Sequence, residues 1–165
     1  MQWIYDVYGS DVRYSLGLKG SKNLLCFGIN PSTATPENLD NTIRRMINLS
    51  KSNGYNGWIM LNIYPQRATD PNNLHKELDT EIHRINIDYI KQYLSYDCDI
   101  VAAWGELINK RPFLKECLKD IYEQIPSKSW LCFGQTKKGH PRHPLYLKNN
   151  TSLVPFDIHA YLKYR

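Results

Sequence analysis

The sequence lacks the signatures of several common protein classes. No apolar run among its 165 residues reaches the roughly 20 residues that cross a bilayer. Its first residues lack the basic start and apolar core of a signal peptide. A Walker loop, a two-glycine dinucleotide fingerprint and a Ser-His-Asp order are also missing. We therefore expect a cytoplasmic protein with no membrane contact and no bound cofactor.

Metal-ligand spacing is missing as well. No two of the four cysteines are separated by the two to four residues that are typical of zinc sites. Cys26 and Cys132 stand inside apolar runs, which indicates buried, reduced thiols. The spacing of His140, His143 and His159 gives no support for a metal site either. We expect no bound metal.

Charge and apolar content are the informative parts of the composition. Hydrophobic residues make up 42% of the chain, which argues against a disordered protein. The formal net charge is +5 and the pI is about 9.0. A basic balance suits a polyanionic partner such as nucleic acid, although many soluble proteins are mildly basic.

Four apolar runs separated by amphipathic stretches predict the fold. The runs cover residues 23–30, 57–64, 99–105 and 129–134. Nearly continuous apolar runs are typical of strands that are covered on both faces. The intervening stretches have helical periodicity and cover residues 40–52, 74–93 and 113–125. The sequence therefore predicts an α/β fold over residues 1–165, a three-layer α/β/α sandwich with a central four-stranded parallel sheet. An N-terminal β-hairpin over about residues 1–18 flanks this sheet.

Polar residues follow the first predicted strand. Gly28 lets a ligand approach the backbone, and Asn30 places an amide beyond the strand end. Ser32 and Thr33 add hydroxyl groups and free backbone amides. A capped turn is the alternative interpretation, because Asn-Pro-Ser favours turns.

The second strand ends in another asparagine. Asn62 stands inside an apolar run, where its amide is costly unless it is paired. Such an amide can offer a donor and an acceptor to a nucleobase edge, or it can satisfy neighbouring loop backbone. Tyr64 is a candidate for stacking on a base. Arg67 is either a ligand contact or the partner of Asp70 in a loop salt bridge.

The last two strand ends carry an indole and a basic loop. Trp104 is a candidate wall of a ligand pocket or simply a core residue. In the loop after the fourth strand, Lys137, Lys138 and Arg142 suit phosphate oxygens, or form a solvated basic loop. His143, which stands between Arg142 and a proline, is a candidate to stabilise a developing anion.

Several motifs occur together in a fixed order. They are Phe-Gly-Ile-Asn-Pro-Ser-Thr-Ala, Asp-Asn-Thr-Ile-Arg-Arg, Asn-Gly-Tyr-Asn-Gly, Arg-Ala-Thr-Asp-Pro, Ala-Ala-Trp-Gly and Pro-Arg-His-Pro-Leu-Tyr-Leu. Together they resemble the bacterial and phage family called domain of unknown function 1643 (DUF1643), from about Arg13 to Pro155. That family name implies no activity.

A more distant resemblance, to the uracil-DNA glycosylase superfamily, implies a function. Gly-Ile-Asn-Pro resembles a motif whose asparagine holds the attacking water, which implies that role for Asn30. Leu-Asn on the second strand resembles the motif whose asparagine reads the base edge, which implies Asn62. His-Pro resembles the motif whose histidine faces the uracil carbonyl, which implies His143. The resemblance implies a nucleic-acid partner, DNA before RNA, and base release by Asn30 and His143.

The chain also departs from that superfamily. Ser32 stands in place of a glycine after Gly-Ile-Asn-Pro, and Leu145 stands in place of a serine after His-Pro. The water-activating aspartate of the uracil-specific branch has no counterpart. Two alternatives therefore remain open beside a glycosylase. One is a binding module for nucleic acid or a nucleotide that has no activity, and the other is an enzyme acting on a small nucleoside or nucleotide.

Overall fold

In the computed structural model, which describes residues 2–125 and 128–164, the chain forms a seven-stranded mixed sheet with four α-helices. The strands are β1 (Gln2–Tyr8), β2 (Val12–Lys19), β3 (Asn23–Gly28), β4 (Gly57–Asn62), β5 (Cys98–Ala102), β6 (Trp130–Cys132) and β7 (Val154–Phe156). The ends of the predicted domain, Met1 and Arg165, lie outside the described residues.

The sheet has both parallel and antiparallel pairings. Its strand order is β1-β2-β4-β3-β5-β6-β7. The strands of the four apolar runs pair in parallel, as β4 with β3, β3 with β5, and β5 with β6. The pairings β1–β2, β2–β4 and β6–β7 are antiparallel. The predicted four-stranded parallel sheet is therefore wrong, because the antiparallel strands β1, β2 and β7 extend the sheet at its two edges.

The helices begin and end at residues with clear capping signals. They are α1 (Asn41–Ser52), α2 (Thr80–Leu94), α3 (Pro112–Gln124) and α4 (Ile158–Lys163). Asp40 caps α1, because its side chain accepts a hydrogen bond from the backbone N–H of Ile43 at 2.9 Å. The second helix begins later than its apolar periodicity predicts, since Asp79 caps it and Leu74 follows a short 3-10 helix.

Two apolar clusters lie on opposite faces of the sheet. Because side chains alternate along a strand, Leu24 and Cys26 of β3 join one cluster, while Leu25 and Phe27 join the other. Helix α1 packs on the first face, and α2, α3 and α4 contribute to the second. The molecule is therefore a mixed α/β structure with helices on both faces of the sheet.

The N-terminal hairpin belongs to the sheet. Its second strand, β2, pairs antiparallel with β4, whereas the sequence predicts that the hairpin only flanks the sheet. Gly17 permits this contact, because a Cβ there would stand 2.5 Å from the carbonyl oxygen of Trp58. The backbone N–H of Arg13 donates to the carbonyl oxygen of Pro65 at 3.1 Å. This register brings the start of β2 to the loop that follows β4.

Candidate functional site

A pocket of about 160 Å³ lies at the carboxyl ends of β3, β4 and β5. We call it the strand-end pocket. Ends of adjacent parallel strands meet at one edge of the sheet, so the polar residues that follow them come together there. Six residues that were predicted from the sequence line this pocket: Gly28, Asn30, Ser32, Asn62, Trp104 and His143.

Asn62 is the last residue of β4, and its side chain is only 2% exposed. Its Nδ2 is buried and has no hydrogen-bond partner among the described residues. The strand end is fixed independently, since Asn86 Nδ2 donates to the Asn62 carbonyl oxygen at 2.9 Å. A buried polar group without a partner costs about 1–3 kcal/mol. A ligand that supplies an acceptor would recover this free energy.

Asn30 joins two loops at the mouth of the sheet. Its Nδ2 lies within hydrogen-bond distance of three carbonyl oxygens, which share its two N–H donors: those of Pro31 at 3.0 Å, Gln66 at 3.1 Å and Ala68 at 2.9 Å. The loop after β3 is thereby held to the loop after β4. No described residue donates to Oδ1 of Asn30, so this oxygen remains an acceptor on a residue that lines the pocket.

His143 presents a defined tautomer. Its Nδ1 accepts a hydrogen bond from the backbone N–H of Leu145 at 3.2 Å. A neutral imidazole whose Nδ1 accepts carries its proton on Nε2. Burial lowers the pKa of His143, and the nearby negative charge of Asp40 opposes this shift. At neutral pH the ring is therefore uncharged, with Nε2–H as its donor.

Trp104 and Ser32 give the pocket an aromatic side and a polar side. Trp104 is 1% exposed and donates from Nε1 to the Tyr161 hydroxyl at 3.1 Å, so its indole is held in the core. The hydroxyl oxygens of Ser32 and Thr69 lie 2.7 Å apart and are exposed. The pocket thus has a rigid aromatic side and a solvent-facing polar side.

Tyr64 and Thr33 do not line the strand-end pocket. Tyr64 is fully buried, its hydroxyl lies 2.6 Å from Nδ1 of His75, and the backbone N–H of Asp79 donates to it. Burial raises the pKa of Tyr64 to about 12. Its ring packs in the core and therefore does not offer a surface on which a base could stack. Thr33 is exposed on the loop after β3.

Arg67 is bound to the protein itself. Its Nη2 donates to the Tyr5 hydroxyl at 2.6 Å and lies 3.4 Å from the Ala34 carbonyl oxygen. No salt bridge joins it to Asp70 within the described ranges. Asp70 instead accepts a hydrogen bond from the backbone N–H of Asn72 at 2.9 Å. Arg67 does not line the strand-end pocket.

The basic loop between β6 and His143 is a surface feature. Lys137, Lys138 and Arg142 are all exposed, and none of them lines the strand-end pocket. They lie on the chain segment that leads directly to His143. Only a ligand that extends beyond the pocket would contact these three side chains.

Arg13 is a pocket residue that the sequence interpretation missed. It lies on β2, is 3% exposed and donates from Nη1 to the Ala34 carbonyl oxygen at 3.1 Å. Burial, and then the positive charge of Arg67, lower its pKa to about 10. The guanidinium therefore stays charged at neutral pH. The sequence shows only a single arginine in a strand. Its position at the pocket follows from the pairing of β2 with β4, which the sequence does not reveal.

Asp40 is the second missed pocket residue. It caps α1, and it also lines the strand-end pocket. Its negative charge acts to raise the pKa of both Arg13 and His143, against the effect of burial. A carboxylate, a guanidinium and an imidazole therefore influence one another across this pocket.

The pocket combines four kinds of polar group. Asn62 offers a buried donor, Asn30 an acceptor, His143 a neutral N–H donor and Asp40 a carboxylate. Such a set can fix the hydrogen-bonding edge of a planar ring. It can also orient a water molecule and stabilise negative charge that develops on a leaving group.

The described residues contain neither a metal-binding cluster nor a membrane-spanning helix. The described residues contain no group of three or more histidine, cysteine or acidic side chains arranged to hold a metal ion. Their four cysteines are free thiols. None of the described helices has the length and apolar character that crossing a membrane requires.

Comparisons with known proteins identify the family. Neither the curated proteins nor the solved structures contain a significant match to this chain. A family profile described as "Protein of unknown function (DUF1643)" matches residues 13–145. The matched part includes β2 to β6 and the loop that carries His143. The chain therefore belongs to the DUF1643 family.

Proposed function

We propose that the strand-end pocket binds a nucleobase of a nucleic acid, DNA before RNA, and that the protein hydrolyses the N-glycosidic bond of that base. The observation that carries this proposal is the buried amide of Asn62, a residue that lines the pocket and whose Nδ2 has no hydrogen-bond partner among the described residues. Burying an unpaired amide lowers stability, so ligand binding is a physical reason to retain it.

The size of the pocket supports a single planar ring. Sites for drug-sized ligands usually measure about 300–1,000 Å³. The strand-end pocket, at about 160 Å³, is smaller. A base that is rotated out of a strand, or one that is already unpaired, presents such a ring. Trp104 supplies a flat, rigid wall beside it.

Bond cleavage requires a positioned water molecule and stabilisation of the departing base. Asn30 Oδ1 orients the water, because its amide nitrogen is already bound to the loops. The Asp40 carboxylate is a second acceptor for this water. His143 donates from Nε2 to the oxygen of the leaving base as negative charge develops there.

A fold similar to that of uracil-DNA glycosylases is part of the same proposal. It is supported by the parallel strands β4, β3, β5 and β6 and by the polar residues that follow them. The antiparallel strands at both edges are additions to that pattern. This support is a fold-level analogy, so the function depends on the residues of the pocket.

A base-release screen tests the proposal. Oligonucleotides that carry uracil, mismatches or modified bases are incubated with the wild-type protein and with the His143→Gln variant. We expect release from at least one substrate, with the variant losing turnover more than affinity, because the histidine contact strengthens as charge develops. Wild-type protein that neither releases nor binds any member of the panel would contradict the proposal.

Binding without cleavage is the second candidate function. It is favoured by the engagement of Asn30, whose Nδ2 serves three backbone carbonyl groups and therefore has a structural role. The same panel distinguishes the two candidates. Tight binding of one substrate that is lost in Asn62→Ala, with no base released, would assign the pocket to recognition alone.

A further inference from the structure

Two guanidinium groups converge on one backbone oxygen beside the strand-end pocket. Nη1 of Arg13 and Nη2 of Arg67 both approach the carbonyl oxygen of Ala34, at 3.1 Å and 3.4 Å. The charge of Arg67 acts to lower the pKa of Arg13, as expected for like charges held close together. Arg13 is buried and Arg67 is half-buried, so the protein concentrates positive charge where solvent has limited access.

This positive charge has no ion-pair partner among the described residues. The salt bridges found there join His83 to Asp120 and Arg84 to Glu81 and Asp88, away from the pocket. The buried Nε atoms of both Arg13 and Arg67 also lack hydrogen-bond partners there. Buried charges in proteins are normally paired, because desolvation is costly.

Asp40 offsets only part of this charge. Its carboxylate influences Arg13 without coming within the 4.0 Å of a salt bridge, and one of its oxygens caps α1. With His143 neutral, two guanidiniums and one carboxylate leave one positive charge uncompensated. A bound anion would balance it.

We propose that Arg13, backed by Arg67, binds a phosphate group of a ligand whose base occupies the strand-end pocket. This inference rests on the proposed function in taking the rest of the ligand to be a nucleobase. A guanidinium matches phosphate oxygens with paired N–H donors. Arg13 therefore recognises the phosphate, and Asn62 recognises the base. The exposed basic loop is not needed for this contact.

Thermal unfolding in inorganic phosphate tests the anion site without any base. We expect phosphate to raise the melting temperature of the wild type above that measured in sodium chloride of equal ionic strength. The shift should disappear in Arg13→Gln. It should be smaller in Arg13→Lys, because lysine keeps the charge but lacks the paired N–H donors of the guanidinium. Arg84→Gln, at an exposed arginine on α2, is the matched control and should retain the full shift. An equal shift in Arg13→Gln and the wild type would overturn the inference.

Nucleotide binding is the second measurement. A nucleoside monophosphate should bind the wild type roughly 10- to 150-fold more tightly than its nucleoside, the range of a charge-assisted hydrogen bond. In Arg13→Gln this ratio should fall towards one, while the affinity for the nucleoside reports whether the variant is folded. A ratio that is unchanged in Arg13→Gln would overturn the inference.

The outcomes separate this inference from the function on which it rests. Phosphate binding through Arg13 with no binding of nucleosides or nucleic acid would reject the base pocket and keep the anion site. Nucleoside binding that is not tightened by an added phosphate would keep the base pocket and reject the anion site. Competition by an oligonucleotide that lacks terminal phosphates would identify an internal diester as the source. Competition by the monophosphate alone would identify a terminal group.

Discussion

Gly28 and Asn62 lie opposite each other on the neighbouring parallel strands β3 and β4, and a Cβ on Gly28 would stand 3.2 Å from Asn62 Oδ1. Few Cβ atoms in proteins approach a polar atom so closely. The glycine therefore leaves space for the Asn62 amide beside the pocket that both residues line. Its backbone φ is not in the left-handed region, so side-chain space is the reason for a glycine here.

The Gly28→Ala variant should lose ligand affinity more than stability. The added methyl group must push the Asn62 amide aside by a few tenths of an ångström, which misaligns one hydrogen bond. We expect affinity for the best ligand of the base panel to fall about tenfold, the equivalent of one hydrogen bond. Titration calorimetry gives the affinity, and thermal unfolding gives the stability. Unchanged affinity in a folded Gly28→Ala protein would mean that this amide does not contact the ligand.

Asn62 and Asn23 make a matched pair for a stability test. Both are buried asparagines at strand ends, but Asn23 is fully bonded, to the N–H and carbonyl of Gly20 and to the carbonyl of Asp97. At about 1 kcal/mol for each hydrogen bond, Asn23→Ala should lower the free energy of unfolding by about 3 kcal/mol. Asn62→Ala should change it by less than about 1 kcal/mol, because its amide nitrogen is unpaired. Urea denaturation measures both values. A loss in Asn62→Ala as large as that in Asn23→Ala would show a structural role.

The positions of the inner strands, and the polar residues that follow them, could be predicted from the sequence, because both depend on local patterns. Apolar runs 23–30 and 57–64 became β3 and β4, and their polar ends face one pocket. These signals lie within a few residues of the feature that they predict.

Features that depend on distant packing were missed. The chain alone does not show that β2 pairs with β4, so nothing indicated that Arg13 would reach the pocket. Tyr64 directly follows the second strand, yet its side chain turns into the core towards His75. Short β7 was also missed, because three residues, Val154–Phe156, carry too little periodicity to be recognised.

The basic loop should control non-specific binding to nucleic acid. Replacing Lys137, Lys138 and Arg142 by alanine removes three exposed positive charges. If all three contact phosphates, the slope of log affinity against log salt should decrease by about two to three. Filter binding to a duplex at several salt concentrations measures this slope. The double variant Lys91→Ala, Lys119→Ala removes exposed charges elsewhere and should leave it nearly unchanged. Equal slopes in the wild type and the triple variant would exclude phosphate contacts by this loop.

The lowered pKa of His143 has a consequence for stability. Burial lowers the folded-state pKa below the unfolded value of about 6.5, so the unfolded chain takes up the proton first. The neutral form of His143 therefore makes its full contribution to the free energy of unfolding above about pH 6.5. This contribution is lost as the pH falls from there through the folded-state pKa. In His143→Gln, the free energy of unfolding should depend less on pH in this window. His159→Gln, at an exposed histidine, should behave as the wild type does. Denaturation curves between pH 5 and 7.5 make the comparison, and a His143→Gln profile parallel to the wild type would contradict it.

Asp40 can be tested separately from its capping role. Asparagine caps a helix about as well as aspartate does, so Asp40→Asn should keep α1 intact with a loss below about 1 kcal/mol. Removing the charge should lower the pKa of His143 further, since Asp40 acts to raise it. If the carboxylate also activates water, single-turnover base release should fall about 10²- to 10⁴-fold with little change in affinity.

Asp79→Asn, which caps α2 in the same way outside the pocket, is the matched control. NMR titration of His143 in both variants gives a result that does not depend on activity. An equal His143 pKa in the two variants would show that the Asp40 charge does not act on the pocket.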